Sequence, residues 1–98
     1  GDVYKRQDFI LLQNYPNPFN PSTTISFQLP ASSNVTLKVY DILGKEVATL
    51  VNEEKPTGTY EIQFNVAQES FPATASGVYF YQLKAGDFSD IKRMMLIK

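Results

Sequence analysis

The side chains that most often do chemistry in proteins are either missing from this chain or poorly spaced for it. There is no His and no Cys. That removes thiolate nucleophiles, disulfides, the commonest transition-metal ligands and the usual base for a nucleophilic Ser. Carboxylates are present but scattered: Asp41, Glu46, Glu53, Glu54, Glu61, Glu69, Asp87 and Asp90 fall on connectors and strand-like runs. Glu53-Glu54 is the one adjacent pair, beside Lys55 in what reads as a turn. A glycosidase needs two carboxylates converging across a cleft. A calcium site needs closely spaced oxygen ligands, and Asp87 and Asp90 merely flank a turn. The expectation is a non-enzyme with no cofactor and no metal, its acids solvated. Asn34-Val35-Thr36 matches the glycosylation sequon, although a Thr alternating along a strand explains it without sugar. Tyr60, Tyr79 and Tyr81 could stack on a sugar, but packing in a sheet is the commoner use of such rings.

What remains is recognition, and two segments are suited to it. Gln13-Asn14-Tyr15-Pro16-Asn17-Pro18-Phe19-Asn20-Pro21 carries three prolines at every second or third position. Each proline fixes its own φ, lacks an amide donor and pushes the preceding residue toward extended backbone. Asn side chains in such a segment can cap nearby backbone groups. The run can be neither helix nor central strand. Two roles stand open for it: setting the approach to the next strand with Phe19 plugging one end of the fold, or direct contact with a partner. The second segment is Ile91-Lys92-Arg93-Met94-Met95-Leu96-Ile97-Lys98. Its apolar residues should tie it into a sheet. Such a strand can be read by a partner as an added edge or through its carboxylate, or it is simply the last strand with basic gatekeepers.

The elements that must position these segments are strands. Ile25, Phe27 and Leu29 alternate with polar residues, as do Val35, Leu37 and Val39, and Tyr60, Ile62 and Phe64. Phe9 to Leu12 reads as a short edge strand, Val47 to Val51 as a strand, and Phe88 to Lys98 as the last. Gly77 to Lys84 begins apolar on both phases, which suggests a strand near a sheet centre, covered on both faces. Gly44 can supply the positive φ of a hairpin loop in Asp41-Ile42-Leu43-Gly44-Lys45. Pro56-Thr57-Gly58 and Ala85-Gly86-Asp87 read as turns, and Gln68 to Ser76 as a surface loop. Seven short strands predict an all-β, immunoglobulin-like antiparallel sandwich, with an open barrel as the alternative. Leu, Ile, Val and Phe number 28 of 98 residues, enough for one small core. The net charge of −1 argues against nucleic acid. No run is long enough to span a membrane as a helix, and no signal peptide opens the chain. Residues 1–8 read as a linker or a cloning or assembly scar, and residues 9–98 as the domain.

Four blocks carry a resemblance to a known family. Asn14-Tyr15-Pro16-Asn17-Pro18-Phe19-Asn20-Pro21 resembles the opening motif of the type A C-terminal sorting domain of the type IX (Por) secretion system. Val39 to Val47, Ser76 to Leu83 and Lys92 to Lys98 are similar to its later blocks, in the same order. The resemblance implies a non-catalytic sorting signal that directs a cargo from the periplasm across the outer membrane, to the cell surface or the medium. It implies as partners the type IX machinery and a sortase-like peptidase. That peptidase would remove the domain, at or before Asp8, and attach the cargo to anionic lipopolysaccharide. The cargo itself would be absent from this chain. Carried over as recognition residues are Pro16, Asn17, Pro18, Phe19, Asn20, Gly77, Tyr79, Lys92, Arg93 and Lys98. Where the family often has two lysines this chain has Lys92-Arg93, which keeps charge but changes geometry. Two alternatives remain: an Ig-like structural module akin to the flagellar hook cap scaffold domain, and a carbohydrate-binding sandwich.

Overall fold

The structure is a computed structural model that describes residues 8–66 and 77–97. Its elements in chain order are β1 (Ile10–Leu11), β2 (Ser22–Leu29), β3 (Ser33–Tyr40), β4 (Glu46–Lys55), β5 (Gly58–Asn65), β6 (Gly77–Ala85) and β7 (Phe88–Leu96). One sheet has the order β1-β2-β5 and the other β4-β3-β6-β7, with every strand pair antiparallel. This is the seven-strand, two-sheet sandwich that the alternation predicts. Residues 1–7 of the expected linker or scar, the loop from Gln68 to Ser76, and Lys98 lie outside the described residues.

Period-two alternation decides which side chains enter the core. Ile25, Phe27 and Leu29 on β2 face Val35, Leu37 and Val39 on β3, with Tyr81 and Leu83 from β6; all are essentially inaccessible. Burying a residue of this size stabilises the fold by about 1.5–3 kcal/mol, so the shared interior dominates the stability. The short loops follow their sequence signals. Gly44 has φ +86° and Gly86 has φ +59°, conformations that disfavour any residue with a Cβ. Asp41 organises its loop by accepting, through Oδ1, the amides of Leu43 and Lys45, each at 2.9 Å.

Two expectations are corrected. Glu53, Glu54 and Lys55 are not in a turn: β4 runs on to Lys55, and they pair with Val35, Asn34 and Ser33. β4 is an edge strand with two register shifts against β3. Exposed charge and bulges are the usual guards of such an edge, and they hide a strand from a hydrophobic-pattern reading. Second, β6 is an inner strand, between β3 and β7, but only one of its faces is covered. Val78 and Phe80 on the other phase are half-buried, and no described element packs over them.

Candidate functional site

The proline segment lies across one end of the sandwich and is fastened to both sheets. The fastening is polar and buried. Asn14 and Thr23 are the only buried polar residues among those described, each 2 % exposed. Asn14 Nδ2 donates to Thr23 Oγ1 at 2.9 Å and to the Pro16 carbonyl at 3.1 Å. Thr23 Oγ1 donates to that same carbonyl at 2.8 Å. The Tyr81 hydroxyl accepts the Asn14 amide and donates to the Leu12 carbonyl, both at 2.7 Å. Thr23 comes from β2 and Tyr81 from β6, so the knot joins the two layers. Burial pushes the Tyr81 phenol up to about 12; the Asn14 amide opposes the shift and the charge of Asp90 adds a little. Tyr81 therefore works as a neutral donor and acceptor, not as an acid.

Beyond the knot, the segment covers the outer edge of β7. Phe19 donates its amide to the Met95 carbonyl and accepts the Ile97 amide, both at 3.0 Å, in a parallel bridge opposite Leu96. Asn17 Oδ1 accepts the Met95 amide at 2.9 Å, and Gln13 Nε2 donates to the Arg93 carbonyl at 2.7 Å. Four backbone groups that an edge strand would leave open are thereby satisfied. Phe19 itself is 2 % exposed and meets Phe64 edge-on, ring centroids 6.0 Å apart. It plugs the end of the sandwich, as one of its two expected roles requires. The peptide bonds preceding Pro16, Pro18 and Pro21 are all cis.

The expected recognition residues divide into groups. Asn17, Phe19 and the Arg93 backbone meet in this joint, and Pro16, Pro18 and Asn20 sit exposed around it. Gly77 opens β6 opposite Leu96, with φ +148°. Tyr79 is buried opposite Met94. Lys92 and Arg93 do not form a pair, because adjacent strand residues point to opposite faces. Lys92 is half-buried near Asp90 at 4.0 Å, whereas Arg93 is exposed. The rings offered for sugar stacking are unsuited to it: Tyr79 and Tyr81 are interior, and Tyr60 lies between Phe27 and the Lys55 ammonium. Asn14, Thr23 and Tyr81 hold the segment in place and are not among the ten residues carried over from the family resemblance. One signal for them exists in the sequence: Thr23 shares the inward phase of Ile25 and Phe27, and a polar residue on that phase must find a partner.

A family model described as Secretion system C-terminal sorting domain matches residues 13–98. The chain belongs to this family. The sorting domain also resembles two solved structures from Porphyromonas gingivalis. Dimeric latent PorU matches at 17 % identity and a TM-score of 0.69, over 94 % of this chain and 10 % of that one. PorZ, an essential surface component of the type IX secretion system, matches at 22 % identity and a TM-score of 0.58, over 92 % and 11 %. At these identities the likeness is one of fold, and the sorting domain spans about a tenth of either protein. Among curated proteins none matches it. As a type IX sorting domain, it directs secretion through the outer membrane to the cell surface or the extracellular space.

Proposed function

We propose that the type IX machinery reads the sorting domain as a folded object, at the joint between the proline segment and β7, and that the domain itself has no catalytic role. One observation supports this above the others. Asn17 and Met95, 78 residues apart, are hydrogen-bonded, so the first and last family-like blocks form one surface only in the folded chain. A loop held on a rigid scaffold is the usual way to present such a surface. A sortase-like peptidase then cuts at or before Asp8 and releases the domain from its cargo.

The test is to fuse Phe9–Lys98 to a periplasmic reporter in a type IX-competent host. The fusion is expected at the surface or in the medium. Deleting Lys92–Lys98 should leave it in the periplasm. Because that deletion removes part of β7, Asn17→Ala is the second variant, since it loosens the joint and leaves the core intact. Export of both variants at the parent level would refute recognition at the joint.

A further inference from the structure

The outward side chains of β3, β6 and β7 include three cations, Lys38, Lys84 and Arg93, and no carboxylate. The chain as a whole has slightly more acid than base, 10 against 9. Lys38 is matched by Glu46 on β4 at 3.3 Å. Lys84 and Arg93 have no ion-pair partner among the described residues. Apolar surface lies between these cations. A hollow of about 320 Å³ is lined by Tyr40, Asp41, Ile42, Phe80, Gln82 and Ile91; its one carboxylate, Asp41, is already engaged by the Leu43 and Lys45 amides of its own loop. A second, of about 230 Å³, is lined by Pro18, Arg93 and Met95 among others. Phe80 stands directly opposite Arg93 in the sheet, so Arg93 occupies the ridge between the two hollows. Ile42 is 68 % exposed and Ile91 52 %. Exposed apolar surface next to unmatched cations marks an interaction face.

We propose that this face docks an acidic segment of a partner protein, its carboxylates on Arg93 and Lys84 and an apolar side chain in the hollow beside Phe80. The inference rests on the reading that the folded sorting domain is what the machinery recognises. Pro18, Tyr40, Phe80 and Arg93 come one from each of the four family-like blocks, and the fold gathers them on this side. An anionic membrane is the poorer fit. Membrane attraction is typically built from clusters of about four to eight cations. Here only two are unmatched among the described residues, too few for such a surface.

The experiment uses the reporter fused to the whole chain. Lys84→Glu combined with Arg93→Glu should lower the exported fraction at least about tenfold, as reversal of matched charges at an interface does. Arg93→Lys should retain most export. Glu61→Lys, on the exposed face of β5, is the control and should change export less than about twofold. Unchanged thermal unfolding verifies the fold of each variant. A photoreactive benzoylphenylalanine in place of Gln82 should crosslink to a protein segment containing Asp or Glu, and the double reversal should abolish the adduct. If the parent fusion is exported and the double reversal is exported equally well, the docking face is wrong and the sorting reading survives. If the parent is not exported, that reading fails and the docking inference falls with it. A crosslink to a neutral or basic segment overturns the proposal. So does binding to phosphatidylglycerol vesicles that is lost in the double reversal, which would point to an anionic surface instead.

Discussion

Replacing Tyr81 by Phe removes one oxygen atom and leaves two backbone groups without their partner. The consequences differ because their surroundings differ. Leu12 is 50 % exposed, so water can take up its carbonyl, and the loss there is the ordinary net value of about 1 kcal/mol. Asn14 is 2 % exposed, so its amide is left as a buried, unsatisfied donor at a cost of about 1–3 kcal/mol. The sum is about 3 kcal/mol. For a domain of this size it corresponds to a melting temperature lower by roughly 15 °C. Urea unfolding followed by circular dichroism measures the change directly, with an unchanged slope indicating that the folded state keeps its compactness. Asn14→Ala should be similarly costly, and the double variant should lose clearly less than the sum, since both residues belong to one network. A Tyr81→Phe loss below about 0.5 kcal/mol, the level of an unremarkable surface change, would refute the claim that this hydroxyl fastens the proline segment.

The same phenol makes stability depend on alkaline pH. Its folded value of about 12 lies above the ordinary 10.0, so the folded chain holds the proton more tightly. The contribution is complete below pH 10 and is lost as pH rises through about 12, amounting to about 2–3 kcal/mol. Denaturant midpoints across that window should fall in the parent and fall less in Tyr81→Phe; equal slopes would contradict the assignment. Phe19→Ala should destabilise by about 3–5 kcal/mol, as removal of a buried ring does, and a midpoint shift corresponding to less than 1 kcal/mol, about a surface effect, would remove Phe19 from the core. Asn17→Ala should cost only about 0.5–1.5 kcal/mol, one hydrogen bond at an exposed site. Its specific signature is faster hydrogen exchange at the Met95 amide with the Tyr81 amide unaffected, and unchanged exchange at Met95 would mean that Asn17 does not cap β7.

Much of this architecture is legible in the chain because period-two alternation is a local property. Ile25, Phe27 and Leu29 declare their inward phase without reference to any other strand, and the structure keeps it. Partnering between strands has no such local sign. That β2 pairs with β5, and β3 with β6, depends on long-range contacts between strands that no local pattern records. Lys92 and Arg93 show the opposite case: alternation places them on different faces, yet a motif reads them as one basic unit. Of these two only Arg93 lies on the outer face, where it joins Lys38 of β3 and Lys84 of β6, residues outside the ten recognition positions that the family resemblance supplies.

The joint between the proline segment and β7 has a consequence for when a sorting signal can be read. Its parts lie at opposite ends of the described chain and touch through Asn17, Phe19, Met95 and Ile97. In an unfolded chain the same residues are present, but closing a loop of that length costs entropy that only the folded core repays. Recognition at the joint, as proposed, is thus conditional on folding. The Asn14–Thr23–Tyr81 knot is what makes the condition strict, because it anchors the proline segment to both sheets at once. On this reading Tyr81→Phe and Asn17→Ala should separate the two requirements. The first loosens the anchor and should reduce export in proportion to the folded fraction, and more steeply on warming. The second leaves folding nearly intact and should reduce export at all temperatures alike. If both variants showed the same temperature dependence, the knot and the joint would be serving one requirement, and Asn17 would act through stability and not as part of a surface that the machinery reads.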